Sequence, residues 1–420
     1  MFRFNSFSFS PKILVVSAAL VAAALKLYCA ATTFGSGDVL IASNFGKIID
    51  SMGIDYLYRA TRLFNHPPVT GEFFGLLYHL ACYLSPPGAD SVPRSWPFLL
   101  RLPSILADIL AVLILLKLRE KTGKPPVWSL VLFALSPAAF MVSGFHGNVD
   151  AIMVCVLLIA AYFCVEEHAL LSGIFLALAC SIKVIPLFLT PVFFFFWLQR
   201  GQKQALQFTI AFVLSCLAGW SGALIGSPTY FLKNVLGYPS YSGGWGITYW
   251  CAFLFDTLHL HLTPKSATDL LSPLLSSLKL IIVASVVTLG WLRRKQSGAG
   301  FFATIALAWT CFVIFAPGFI PYYLIWMAPF VLVYSPTWYA ILTAATSIYL
   351  FAYYNIMSHG MPWNYCDTSV PPAWNDWSNI PWVVTIAMGV GALASANWRR
   401  QNFGVTVANS KRRTSPPSRS

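Results

Sequence analysis

Charge is what this chain of 420 residues has least of. Only 10% of its residues are charged against 57% hydrophobic, and the mean hydropathy is +0.68. A soluble domain carries roughly 25% charged residues, so a soluble globular fold is excluded and the chain reads as an integral membrane protein. Paired cysteines are missing as well. The nine cysteines (29, 82, 155, 164, 180, 216, 251, 311 and 366) stand singly, mostly inside apolar runs, with no CxxC or Cys/His spacing. That excludes a zinc or thiol-redox motif and leaves them as small hydrophobes. The formal net charge of +13 does not imply nucleic acid, because Lys and Arg sit in short clusters between apolar runs and in the tail. This is the positive-inside pattern.

What is abundant is apolar run after apolar run. At about 20 residues per helix the length accommodates roughly ten to thirteen spans. The basic clusters sort them into an all-α polytopic membrane domain, residues 1–397, with about twelve transmembrane helices and both termini inside. Ile13 to Phe34 forms the first span, expected to be an uncleaved anchor because Lys26 interrupts it and no small-x-small cleavage site follows. A large first outer loop, 35–96, holds a short apolar helix, Phe73 to Leu84, too short to cross. Later spans are expected at about 97–118, 127–143, 151–165, 169–182, 187–198, 208–225, 273–291, 301–315, 324–333, 338–353 and 380–396. Further outer loops occupy 226–271 and 354–379, and residues 398–420 form a basic tail beside the inner leaflet. Gly246 to Leu260 is an alternative span. No internal repeat of the kind that marks transporters is evident.

The ionisable groups concentrate between Gly35 and Ser104, with Asp150 and Lys183 falling on the same outer face. Each has a plain reading. Asp38 ends a helix in a Gly/Ser turn, Asp150 caps the span that follows it, and Lys183 and Lys279 snorkel to an interface. His66 closes a turn before Pro67 and Pro68. Arg101 anchors an interface beside Asp108, or Asp108 partners a neighbouring helix, and the aromatics form a membrane belt.

A second reading comes from a resemblance. Asp38 within GDV, the stretch YLYR (56–59), NHPPVT (65–70) and RLPS (101–104) resemble, in that order, the start of the GT-C superfamily of membrane glycosyltransferases, which take sugars from polyprenyl- or dolichyl-phosphate donors. LSPAAF (135–140) followed by HGNVDA resembles the segment before a second outer acidic residue. SGIFLALACSIKVIPLFLTPVF (172–193) resembles a helix hairpin of these enzymes, and FAPGFIPYYLIWMAPF (315–330) a late motif of bacterial mannosyltransferase-like members.

The resemblance implies a hexosyltransferase, mannose favoured, moving sugar from a polyprenyl-phosphate carrier to a glycan, lipid or protein acceptor at the extracytoplasmic face, with inversion. The acceptor hydroxyl loses a proton as it attacks, which assigns Asp38 as base, with Asp150 orienting substrate or assisting. Asp50, Asp55 and Asp150 remain alternative bases. The departing phosphate needs fixed positive charge and donors, drawn from Lys183, Arg101 and His66. His146, Tyr322, Tyr323 and Trp245, with Tyr241 and Trp326, are candidates to bind substrate. No metal-ligand cluster is visible, although a divalent ion on Asp38 and Asp150 stays open, and no other cofactor is implied. A transporter or flippase of a lipid-linked sugar is the alternative, and it would need a polar path across the membrane. A bacterial inner membrane is expected, since no retrieval signal for the endoplasmic reticulum is present.

Overall fold

The computed structural model describes residues 10–88, 91–238, 245–257, 264–368 and 379–395. Tyr241, residues 369–378 of the third expected outer loop and the basic tail therefore lie outside the described residues.

Helices dominate, and their ends follow the local sequence. α1 (Pro11–Thr32) starts on a proline, whose missing N–H costs nothing in a first turn. A two-residue strand, β1 (Gly35–Ser36), leads into α2 (Gly37–Met52), where the Ser36 side chain caps the amide of Asp38. Gly53, at φ 79°, separates α2 from α3 (Ile54–Ala60). α4 (Pro68–Leu84) opens on the Pro-Pro pair, and α5 (Trp96–Thr122) closes on a left-handed Gly123.

The third expected span, 127–143, is present as one apolar span, 127–146, but it is broken along its length. It runs as α6 (Val127–Ala134), α7 (Pro137–Ala139) and a π-helical turn, Phe140–His146, because Ser136 caps the amide of Ala139 in a new helix that starts at Pro137, and Pro137 cannot continue the old one. π-helical turns are uncommon and gather at functional sites. α8 (Asp150–Val165) and α9 (Ala169–Ile182) follow, then a 3₁₀ turn (Ile185–Leu189), α10 (Thr190–Arg200) and α11 (Gln202–Gly226).

α12 (Pro228–Phe231) leads to α13 (Gly246–Thr257), α14 (Pro264–Leu292) and α15 (Ala299–Phe315). The expected span at 324–333 is split. Pro321–Met327 is 3₁₀ and α16 (Ala328–Tyr334) begins beside Pro329. α17 (Pro336–Met357), a second short strand β2 (Tyr365–Cys366) and α18 (Asn379–Ala394) complete the chain. β1 and β2 pair in parallel, Ser36 opposite Cys366, which ties the start of the first loop to the third.

Among the described residues six helical stretches are long and apolar enough to cross a bilayer: 11–32, 96–122, 127–146, 202–226, 272–292 and 336–357. Six shorter apolar helices, including α8, α9, α15 and α18, pack among them. α13 has only twelve residues and falls short of a span. Tight packing uses small residues, as expected where the bilayer itself is apolar. α9 lies so close to α11 that a Cβ on Gly173 would sit 2.5 Å from the Phe208 carbonyl oxygen.

Two charges inside the helical bundle satisfy one another. Lys26 on α1, only 3% exposed, donates to Asp108 on α5 at 2.6 Å. Buried ions persist only when paired, which explains both the lysine within the first span and the acid within the second. Asp108 is a helix partner, and it pairs with Lys26 rather than Arg101. Lys279 lies exposed on α14.

Candidate functional site

The site forms where β1, the π-helical turn, the break after α9 and the 3₁₀ turn at 321–327 converge. Asp38 is placed by the Ser36 cap, and the Ser36 hydroxyl also donates to the His146 carbonyl at 2.7 Å. The π-helical turn ends at His146 because Gly147 adopts φ 84°, a left-handed conformation. A Cβ there would meet Val39 at 2.6 Å. The turn presents the His146 ring to Asp38, with Nε2 3.0 Å from Oδ2. Tyr322 donates its hydroxyl to the same oxygen at 2.9 Å and packs its ring 4.1 Å from that of His146. Oδ1 carries no hydrogen bond among the described residues, and the side chain keeps 29% of its surface.

Burial alone raises the Asp38 pKa, but the His146 ring, hydrogen bonds from His146 and Tyr322, and the Lys183 charge outweigh it and hold the carboxyl at about 2. The carboxylate is ionised throughout the physiological range.

A second constellation adjoins the first. Lys183 sits in extended backbone just past the end of α9, where Pro186 prevents the helix from continuing. Its ammonium pairs with Asp150, which has no exposed surface, and stands 4.8 Å from the Tyr323 ring and 5.2 Å from Trp326. These two rings stack at 3.9 Å and offer their faces to the cation. Asn148 fixes Asp150, donating to Oδ2 at 2.9 Å and accepting from the Asp150 amide at 3.1 Å.

NHPPVT docks against the same break. Thr70 donates to the Ile182 carbonyl at 2.7 Å, and the Tyr58 hydroxyl to the His66 carbonyl at 2.7 Å. His66 stands beside Lys183, yet it is not a cation. Burial and the Lys183 charge lower its pKa to about 3, against the opposing pull of Asp38 and of a backbone hydrogen bond with Ile182. The expectation of fixed positive charge at His66 is corrected to a neutral imidazole.

That correction has a measurable consequence. Between pH 6.5 and about 3 the unfolded chain binds a proton that folded His66 refuses, so stability falls as pH is lowered through this window. His66→Gln is expected to flatten the decline of Tm between pH 6.5 and 4. An unchanged slope would mean that His66 protonates freely in the folded protein.

Arg101 does not reach the cluster. It is fully buried. Its Nε donates to the Pro97 carbonyl at 2.7 Å, and the guanidinium donates to carbonyls of Ala30 and Phe34 at the end of α1 and of Gly144 and Phe145 in the π-helical turn. A cation suits helix C-termini, where carbonyls lack intrahelical partners. Arg101 thus moves from the donor phosphate to the scaffold, where it clamps α1 to the turn that carries His146. Trp245 is likewise set back. It is buried, donates to the Val313 carbonyl at 2.9 Å and stacks on Phe319, one ring removed from Tyr323.

The rival carboxylates lie elsewhere. Asp50 pairs with the exposed His79 at 3.1 Å, and Asp55 packs against Gly226 at the end of α11. Among the described residues no three His, Cys, Asp or Glu side chains are grouped to hold a metal ion. Sequence reasoning missed Ser36, Asn148 and Tyr354, whose ring packs 5.7 Å from His146. The Ser-x-Asp and Asn-x-Asp spacings are local capping signals and were legible, whereas Tyr354 arrives from 208 positions along the chain and left no signal.

The family model of glycosyltransferase family 87 matches residues 97–317, just over half of the chain. The chain belongs to glycosyltransferase family 87. With its apolar helices it is therefore a multi-pass membrane glycosyltransferase. No curated protein matches it. The matched stretch includes Arg101, His146, Asp150 and Lys183, while Asp38, His66 and Tyr322 lie outside it. In this family 87 chain the two sets of residues meet only through the fold.

Proposed function

We propose that this glycosyltransferase moves one hexose, mannose favoured, from a polyprenyl-phosphate-sugar to an acceptor hydroxyl at the extracytoplasmic face, with inversion and with Asp38 as base. The observation that carries the proposal is a half-engaged carboxylate beside a buried cation. Asp38 engages His146 and Tyr322 through Oδ2 and leaves Oδ1 for an acceptor hydroxyl, while Lys183, paired at rest with Asp150 and flanked by the Tyr323 and Trp326 rings, stands ready to meet a phosphate. A sugar phosphate ester already has a good leaving group, so the protein must mainly remove a proton and stabilise the released phosphate.

A carboxyl held at about 2 is a weak base. Donor binding changes that. A phosphate beside Lys183 neutralises one of the charges that hold Asp38 down and brings negative charge of its own, so the Asp38 pKa rises when substrate is present. Attack by the acceptor oxygen on the anomeric carbon forms one C–O bond as the C–O bond to phosphate breaks. The proton passes to Asp38, and neutral His66 and Lys183 serve the departing phosphate as donors.

Six long and six shorter apolar helices among the described residues support about twelve crossings in a GT-C-type arrangement, and the basic inter-helix clusters support an orientation with both termini cytoplasmic, in what we read as a bacterial inner membrane. Asp150, expected to assist the base, fits better as the resting partner of Lys183. The test is transfer by purified protein in liposomes given labelled polyprenyl-phosphate mannose, polyprenyl-phosphate glucose or nucleotide sugars. One lipid-linked donor is expected to be consumed, one polyprenyl phosphate released per sugar moved, with inverted anomeric configuration. Turnover of a nucleotide sugar alone would sink the proposal.

A further inference from the structure

The segment Gly144–Asp150 sends side chains into both halves of the site: His146 meets Asp38, and Asp150 meets Lys183. No regular helix holds the whole of it. The π-helical turn stops at His146, Gly147 is left-handed at φ 84°, and α8 starts only at Asp150. The last carbonyls of a helical turn lack intrahelical partners, and here side chains from other elements supply donors. Arg101 donates to the carbonyls of Gly144 at 3.1 Å and Phe145 at 3.2 Å, and Ser36 to that of His146. These bonds fix the half that faces Asp38. The other half depends on Ser104.

Ser104 lies three residues after Arg101, on the same face of α5, and has no exposed surface. Its hydroxyl donates to the Asn148 carbonyl at 2.6 Å. Asn148 holds Asp150 through both ends of its amide, and Asp150 pairs with Lys183. The series Ser104, Asn148, Asp150, Lys183 thus runs from α5 to the ammonium. α5 is a fixed reference for it, because Asp108, one turn further along that face, is pinned by the buried Lys26.

We infer that Ser104 is a positioning residue, which places Lys183 through Asn148 and Asp150, so that one face of α5 sets the spacing between base and cation. The inference rests on the transfer reading above, in which Asp38 and Lys183 serve opposite sides of one displacement at the anomeric carbon. Their separation must match that of the acceptor oxygen and the phosphate, and a misplacement of about 1 Å can cost about 10²-fold in rate.

Labelled sugar transfer by the purified full-length protein in liposomes, with Tm measured alongside, tests this. Ser104→Ala is expected to lower kcat/KM by about 5-fold, as for one neutral hydrogen bond, and Asn148→Ala, which loses a bond to a charged group, by about 30-fold. The two losses share one route. Ser104→Ala is therefore expected to cost less than about twofold more in an Asn148→Ala or a Lys183→Met/Asp150→Asn background, and its full factor of about 5 in a Ser36→Ala background, where only the base half is disturbed. Equal losses in all three backgrounds would overturn the inference and leave Ser104 a packing residue, as would a folded Ser104→Ala variant that transfers sugar like wild type. Should Ser104→Ala fail to fold, Asn148→Ala read in the Lys183→Met/Asp150→Asn background decides the same question. If Lys183→Met/Asp150→Asn itself transfers like wild type, the cation role of Lys183 falls and the relay with it. If that variant is impaired and Ser104→Ala still takes its full toll on top, the relay alone falls.

Discussion

Asp38→Asn is expected to lower sugar transfer by about 10³-fold, the middle of the range for losing a positioned base. The substitution is nearly isosteric. The amide oxygen can still accept from Tyr322, so the cluster around His146 keeps its shape while the proton acceptor is gone. The amide has no proton to lose in this range, so raising the pH does not restore a base at this position. A carboxylate with a depressed pKa adds stability that is present above pH 3.8 and lost as pH falls through about 2. For a side chain that keeps 29% of its surface, screening reduces this to about 1 kcal/mol at neutral pH, so the variant unfolds only slightly earlier than wild type. Initial rates with a saturating lipid-linked donor, set beside Tm, separate the two effects. A loss under tenfold in a folded variant would move the base elsewhere. Asp50→Asn, at the exposed pair with His79, is expected to retain activity within twofold.

Lys183→Met is expected to lose both function and stability, and a second substitution separates the two. Removing a fixed charge aimed at a developing anion costs about 10² to 10³ in rate. It also leaves Asp150, with no exposed surface, as an uncompensated buried ion, which costs about 3–5 kcal/mol. Lys183→Met/Asp150→Asn removes the stranded charge. Its Tm is expected to return towards wild type while transfer stays low. Recovery of transfer together with Tm would reduce the pair to a structural ion pair and leave the phosphate without its cation.

Much of the helical organisation was legible, because a bilayer makes length and hydropathy nearly sufficient. α1, α5, α8, α9 and α15 lie within a few residues of where the apolar runs place them, while α11 starts at Gln202, ahead of the expected 208. Expectation failed where proline and capping serine interrupt an apolar run. Hydropathy is blind to hydrogen bonding, so 127–143 read as one unbroken helix although Ser136 and Pro137 break it, and 324–333 likewise although a 3₁₀ turn gives way to α16 at Ala328, beside Pro329. Of the expected site residues, Asp38, His146, Tyr322, Lys183, Asp150, His66 and Tyr323 come together, while Arg101 and Trp245 do not.

Arg101 shows why residue type cannot settle a role. An arginine at the head of a membrane helix suits an anion and a ring of helix-end carbonyls equally well, and the choice depends on whether α1 ends beside it. The sequence alone determined the membrane class, the face on which ionisable groups gather and the residue types available for transfer, since these depend on composition and local order. Only the tertiary structure decided that Asp38 meets a histidine 108 positions away and a tyrosine 284 positions away, that Lys183 pairs with Asp150, and that His66 is neutral. Those outcomes depend on distance and burial, which packing sets and sequence spacing does not encode.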